Sequence, residues 1–176
     1  MCQLFGTQLK MSRDRVCCVI DAQFFMVNGK SLMRELSIVT HDKILCIQVD
    51  TKIKRMNPRD WKTNWFIQKF ITGLSFRPVQ CYTTQKQARQ ILRQEYYASI
   101  RSGRNLVCIK NPQLGDMLHD MRIPYFCIDQ YLAMEAWLCS FHTHERKKSQ
   151  RCALKKACDM FRELNRLLYA DGTTSL

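Results

Sequence analysis

The first fifty residues alternate between short apolar runs and turn signals. Residues 15–25 form an apolar run rich in β-formers, which predicts a central strand. After the turn signal Asn28-Gly29-Lys30, the runs 35–39 and 44–49 are separated by a second turn at 41–43. These runs predict two further strands, so we expect a three-stranded antiparallel meander.

The next segment, residues 51–84, has no regular period and contains the breakers Pro58, Gly73 and Pro78, which predicts irregular structure. Its four clustered aromatic residues are Trp61, Trp65, Phe66 and Phe70. We expect these rings to close one end of the core. The same segment is also typical of a dimerisation interface, and the sequence does not separate the two interpretations.

From residue 85 onward, helical and extended patterns alternate. A helix is predicted over 85–101, with Gly103 as its stop, and short strands over 106–109 and 125–128. Shorter helices are predicted over 116–121 and 130–138, and a long amphipathic helix from about 152 to 169. The residues expected inside the helix at 85–101 are Ala88, Ile91, Leu92, Tyr96, Ser99 and Ile100, and those inside the last helix are Leu154, Cys158, Phe161, Leu164 and Leu168.

The length of 176 residues fits one domain, which we place at 13–169, between an N-terminal extension (1–12) and a C-terminal tail (170–176). Most of the ten cysteines lie in apolar runs, as buried free thiols do. No signal peptide and no apolar stretch of about 18 residues is present. We therefore expect an intracellular, reducing location, nucleus or cytoplasm, and no membrane partner.

The net charge of +13 changes this picture, because a folded domain this basic usually meets a polyanion. RNA or another single-stranded nucleic acid is the favoured partner; the alternatives are a solvated basic surface or a patch for an acidic protein. Two surfaces are candidates for backbone-type, weakly sequence-specific contact. The first comprises Arg89, Arg93, Tyr97 and Arg101, at intervals of four on one helix, and the second Arg146, Lys147, Lys148, Arg151, Lys155 and Lys156.

Candidate chemistry lies close to the second surface. Cys139, His142 and Cys152 bring two soft thiolates and an imidazole within fourteen positions, three of the four ligands of a tetrahedral zinc site. His144 is a competing ligand. The alternative is that both cysteines are core residues and that the histidine lies on the surface.

A meander followed by alternating helices and strands, closed by a C-terminal helix, resembles the ribonuclease H-like fold in its DnaQ-like exonuclease branch. In active members, carboxylates on the first strand, after the fourth strand and near the last helix bind two metal ions. Here Asp21 stands in the first-strand position, but its partner acid is Gln23. Asp116 stands one residue away from the position of the third acid, and the sixth positions after His142 and His144 are Lys148 and Gln150. The resemblance therefore implies that the two-metal mechanism is lost.

With Glu35 added, the set Glu35, Cys139, His142 and Cys152 resembles the zinc motif of the Maelstrom domain, a nuclease-derived module of germline small-RNA (piRNA) and transposon silencing. The resemblance implies a structural zinc in place of catalytic metals, with Glu35 opening the second strand and Cys152 at the start of the last helix. A divergent or free-standing relative is expected. The alternative, without zinc, is that Glu35 is an exposed carboxylate at a strand edge.

Three functions follow as hypotheses. The first is a catalytically degenerate nuclease-like domain that binds RNA or protein partners in small-RNA-guided silencing. The second is an active RNA nuclease with an atypical site, built on Asp21 and Asp116. The third is a scaffold that dimerises through the aromatic segment.

Overall fold

The computed structural model describes residues 15–53, 55–75, 83–128 and 152–170, and elements are numbered along these ranges. The strands are β1 (Val16–Val27), β2 (Lys30–Val39), β3 (Ile44–Asp50), β4 (Thr83–Thr84), β5 (Leu106–Ile109) and β6 (Tyr125–Cys127). The helices are α1 (Pro58–Phe66), continued by a π-helical stretch (Ile67–Thr72), then α2 (Gln85–Ile100), α3 (Pro112–Asp120) and α4 (Ala153–Ala170).

The sheet is mixed, with the order β4-β3-β2-β1-β5-β6. β1, β2 and β3 pair antiparallel, whereas β5 is parallel to β1, and β6 is parallel to β5. The chain thus has an antiparallel meander followed by parallel strands flanked by helices, and the predicted ribonuclease H-like fold class is confirmed. The short parallel edge strand β4 was not predicted.

The first hairpin explains why β2 is longer than its apolar run. Asn28 (φ 51°) and Gly29 (φ 76°) form a two-residue turn with both residues left-handed, the geometry that matches strand twist. Pairing begins immediately after the turn, at Val27 and Lys30. Glu35 therefore lies inside β2 and does not open it, which corrects the prediction.

Two apolar clusters cover the two faces of the sheet. On one face, α2 and α3 pack through residues such as Leu92 and Leu118 against Ile20 and Leu36. On the other face, α4 packs through residues such as Met160 against Val19. The inward positions Ala88, Leu92, Tyr96, Leu154, Cys158 and Leu164 are buried as predicted, but Ile100 is exposed because it lies at the end of α2.

The segment predicted to be irregular is largely helical. The Asn57 side chain accepts a hydrogen bond from the Asp60 backbone N–H and caps α1, and Pro58 occupies the first helical turn. Proline is favoured there because the missing N–H has no partner in that turn anyway. Pro58 thus begins a helix, and α3 begins in the same way at Pro112, earlier than predicted.

The expectation that the aromatic group plugs the core is wrong. Trp61, Trp65, Phe66 and Phe70 are 40–53% exposed. Cys46, one of the cysteines in apolar runs for which burial was expected, is exposed as well. The predicted helix at 130–138, the extension at 1–12 and the tail at 171–176 lie outside the described residues. Within the described ranges, no helix is long and apolar enough to cross a bilayer.

Candidate functional site

The candidate site lies on the α4 face of β1 and β2, where polar side chains replace the apolar ones. Gln23 pairs with Glu35 across the two strands, and Asp21 pairs with Ser37. Alternate residues of a strand share a face, so these four side chains point toward α4. All four are buried. The sheet therefore holds a polar group of side chains beneath the last helix.

A β-bulge in β2 sets this arrangement. Gln23 pairs with Glu35, whereas the next residue, Phe24, pairs with Met33, which leaves Arg34 as the extra residue. The bulge allows Met33 and Leu36, three positions apart, to face the same apolar cluster. The Arg34 side chain is buried and its Nε donates to the Ser75 carbonyl oxygen at 2.7 Å. Sequence reasoning missed Arg34, because nothing in the local pattern signals a bulge.

Glu35 joins β2 to the beginning of α4. Its carboxylate is 0% exposed, and Oε1 accepts a hydrogen bond from the Ala153 backbone N–H at 3.1 Å. The first N–H groups of a helix lack partners within the helix and carry partial positive charge, so a carboxylate is stabilised there. The alternative, that Glu35 is an exposed carboxylate at a strand edge, is therefore wrong.

Cys152 occupies the position just before α4, as predicted. Its Sγ accepts from the Lys155 backbone N–H at 3.4 Å and lies 4.0 Å from Oε1 of Glu35. Two of the four expected zinc ligands, 117 residues apart in sequence, are thus side by side.

The Glu35–Cys152 pair fits one edge of a zinc site. Ordinary zinc–sulfur and zinc–oxygen bond lengths at a tetrahedral angle separate the two donor atoms by about 3.6 Å. The observed 4.0 Å is close to that value. Cys139, His142 and the alternative ligand His144 lie outside the described residues. Among the described residues alone, no group of three or more His, Cys, Asp or Glu side chains gathers as a metal site.

Asp21 is a buried carboxylate with little compensation. It is 3% exposed, and its Oδ2 accepts no hydrogen bond within the described part of the chain. Burial raises the pKa of Asp21 to about 6, opposed mainly by the Lys156 ammonium, whose Nζ lies 3.8 Å from Oδ2. Glu35 raises this pKa further, whereas Lys110 lowers it. An ammonium group thus faces the buried carboxylate of β1.

In the described part of the chain, the other acids expected in a two-metal site do not lie beside Asp21. Ile20 pairs with Ile109, so the end of β5 beside Asp21 is occupied by Lys110, which bears on the Asp21 pKa. Asp116 is exposed on α3, not at the end of the strand, which corrects its assignment as a third acid. Gln23 and Lys110 cannot neutralise two divalent cations, since both lack a negative charge.

The predicted nucleic-acid residues fall into three groups. Those on or just after α2 are exposed: Arg89, Arg93, Tyr97 and Arg101. Those outside the described residues are Arg146, Lys147, Lys148 and Arg151. On α4, Lys155 is buried and ion-paired with Asp159, and Lys156 is half-buried and faces Asp21. The expectation that Lys155 contributes to an exposed basic surface is therefore corrected.

Comparisons with known proteins give little beyond this geometry. No family model matches the chain, and no curated protein matches it. A search of solved structures finds the Neurospora crassa Pan2 catalytic unit (protease and nuclease domain), with a TM-score of 0.45 and 11% sequence identity. That alignment covers 93% of this chain and 30% of the other, so the chain spans less than a third of that protein's length.

Proposed function

We propose that the chain is a catalytically degenerate, nuclease-like domain of the Maelstrom type that binds RNA, with a structural zinc. The proposed ligands are Glu35, Cys139, His142 and Cys152, with His144 as the alternative to His142. The observation that carries this proposal is the 4.0 Å separation of the Glu35 carboxylate and the Cys152 thiol. Bound zinc would crosslink β2 to the beginning of α4 and so contribute to folding.

The groups around Asp21 support binding over hydrolysis. A two-metal nuclease needs several carboxylates around its metal ions. Here Lys156 and Lys110 act on Asp21, and Gln23 is the next residue on the same face of β1. The two lysines bring positive charge, and Gln23 a neutral amide, to the place where a two-metal site needs carboxylates. The alternative of an active nuclease built on Asp21 and Asp116 gains no support, because Asp21 is buried under α4 whereas Asp116 is exposed on α3.

The RNA contacts are assigned first to the exposed side of α2. Arg89, Arg93 and Tyr97 are exposed there, and Tyr97 is 58% exposed. Arginine contacts to phosphates are salt-dependent and indifferent to base identity, and an exposed tyrosine offers a ring for stacking. We place this activity in small-RNA-guided silencing, in the nucleus or cytoplasm, where protein partners are also expected.

Elemental analysis of purified protein tests the zinc. We expect one zinc per chain in the wild type, almost none in Cys152→Ser and a reduced amount in Glu35→Gln. The matched control is Cys46→Ser, which removes an exposed cysteine and is expected to keep the metal. Zinc-free wild type, or unchanged zinc in Cys152→Ser, contradicts the proposed site.

A cleavage assay on single-stranded RNA tests the loss of catalysis in the same preparations. We expect no turnover in the wild type with added Mg²⁺ or Mn²⁺. Robust turnover that disappears in Asp21→Asn, with folding unchanged, would overturn the assignment as a degenerate nuclease.

A further inference from the structure

Helix α1 has the reverse polarity of an ordinary surface helix, with polar side chains buried and aromatic side chains exposed. A helix on a globular protein normally buries its apolar side and exposes its polar side. Here α1 buries Asp60 and Asn64, whereas Trp61 and Trp65 are 48% and 40% exposed. The exposed aromatic side therefore has no role in the core.

Polar anchors hold this segment in place. The Asn64 side chain donates to the Met26 carbonyl oxygen at 2.6 Å and accepts from the Met26 N–H at 2.9 Å. Asp60 Oδ2 accepts from the Asn28 backbone N–H at 2.5 Å. These bonds attach α1 to the β1–β2 hairpin by its polar side. They fix the aromatic residues facing outward.

The π-helical continuation completes an aromatic cluster. Gly73 N–H donates to the Gln68 carbonyl oxygen at 3.0 Å, a bond to the fifth preceding residue, and the wider turn brings residues five apart together. Trp65 and Phe70 meet edge to face with ring centroids 5.6 Å apart. Phe66 and Phe70 are 5.1 Å apart. The exposed rings are thus ordered by mutual contact.

The exposed charged residues of this segment have one sign. Arg55, Arg59, Lys62 and Lys69 are all exposed. Lys69 Nζ lies 4.5 Å from the Trp65 ring centroid. Between residues 55 and 75 the single acid in the sequence is Asp60, which is buried in the anchor. We call the surface formed by Arg59, Trp61, Lys62, Trp65, Phe66, Lys69 and Phe70 the aromatic–basic patch.

We propose that the aromatic–basic patch is a binding surface for single-stranded nucleic acid, separate from α2. Exposed rings interleaved with cations suit a flexible polyanion that carries flat bases, because the bases stack while the cations contact phosphates. A second copy of the chain is a poorer occupant, since a symmetric contact would bring like charges together. This inference rests on the proposed RNA binding and extends it to a surface that sequence analysis assigned to the core or to a dimer.

Fluorescence anisotropy with a labelled 12-nucleotide oligouridine tests the patch. We expect Trp61→Ala with Trp65→Ala to weaken binding about tenfold or more, because base stacking on each ring contributes substantially. Trp65→Phe keeps a ring and is expected to retain most of the affinity. Lys62→Gln should lower the salt dependence of binding by about one phosphate contact.

Arg89→Ser with Arg93→Ser is the matched comparison, since it alters only the α2 surface. Binding by the wild type that is unchanged in the tryptophan double variant overturns this inference and leaves the proposed RNA binding standing. No binding by the wild type overturns both. Two further outcomes also overturn the inference. In the first, the wild type is a dimer and the tryptophan double variant is a monomer. In the second, the wild type binds phosphatidylserine vesicles through the patch and does not bind RNA. Circular dichroism of each variant confirms folding.

Discussion

The two faces of the central sheet are built from the same strands and differ in the polarity of the side chains that β1 and β2 bury. Toward α2 and α3, the alternate residues Ile20 and Leu36 are buried among apolar side chains. Toward α4, their immediate neighbours Asp21 and Glu35 are equally buried but polar. Burial of polar groups costs free energy unless they are fully paired, so the second face is not optimised for stability. Both faces carry an apolar cluster that stabilises the fold, and the second also carries the candidate chemistry.

The largest expected effect comes from adjacent residues of β2 that lie on opposite faces. Leu36→Ala should lower the free energy of unfolding by roughly 2–5 kcal/mol, because it leaves a cavity in a closed apolar cluster. Ser37→Ala should cost less than about 1 kcal/mol, since the Ser37 hydroxyl makes a weak contact to Cys46 Sγ at 3.8 Å. Urea denaturation measures both. Equal losses of unfolding free energy in the two variants would contradict the proposed difference in stability between the two faces.

A smaller effect of opposite sign is expected at Asp21. The folded pKa of about 6 lies above the ordinary 3.8, so folding favours the protonated form. The stability that this carboxyl contributes is complete below about pH 4 and is lost as pH rises through about 6. The difference corresponds to about 3 kcal/mol at neutral pH. Asp21→Asn should therefore stabilise the protein at pH 7 by about 1–3 kcal/mol, the lower values reflecting an amide with imperfect hydrogen bonds.

Denaturation of both proteins between pH 4 and pH 8 checks this expectation. The two curves should nearly coincide at pH 4, separate between pH 4 and pH 6, and run roughly parallel above that. Asp116→Asn is the control, because that carboxyl is exposed on α3 and should change stability little at any pH. Asp21→Asn that is destabilising at pH 7 would mean that the ionised carboxylate is held by favourable contacts.

The predictable part of the fold follows from local signals. The apolar runs of β1, β3 and β5 and the Asn28-Gly29 turn gave the meander and the first parallel strand, because strand period and turn conformation are local properties. The same reasoning failed for the aromatic segment, residues 51–84. Its aromatic residues face outward, and Pro58, taken as a breaker in an irregular segment, begins a helix. Asn57 before Pro58, with Asp60 following, was the available signal for a capped helix.

The site divides in the same way. The placement of Cys152 at the beginning of α4 follows from the amphipathic pattern of the helix. Its proximity to Glu35 came from a family resemblance, since no local spacing relates residues 117 apart. Lys155 and Lys156 are chemically identical in sequence, yet one is paired with Asp159 and the other faces Asp21. The Lys155–Asp159 pair is an i,i+4 pair within α4, whereas the contact of Lys156 with Asp21 depends on how α4 packs on the sheet.

The smallest expected effect concerns that second lysine. Lys156→Met in the wild type should cost less than about 1 kcal/mol at pH 7, because the side chain is 34% exposed and solvent screens its attraction to Asp21. In the Asp21→Asn background the same substitution should cost almost nothing, so a double-mutant cycle isolates the pair. The coupling free energy should vanish at pH 4, where Asp21 is protonated in the folded protein. Coupling that persists at pH 4 would mean that Lys156 interacts with residue 21 independently of the carboxylate charge, and the contrast between the faces would then owe less to charge than the Asp21 pKa indicates.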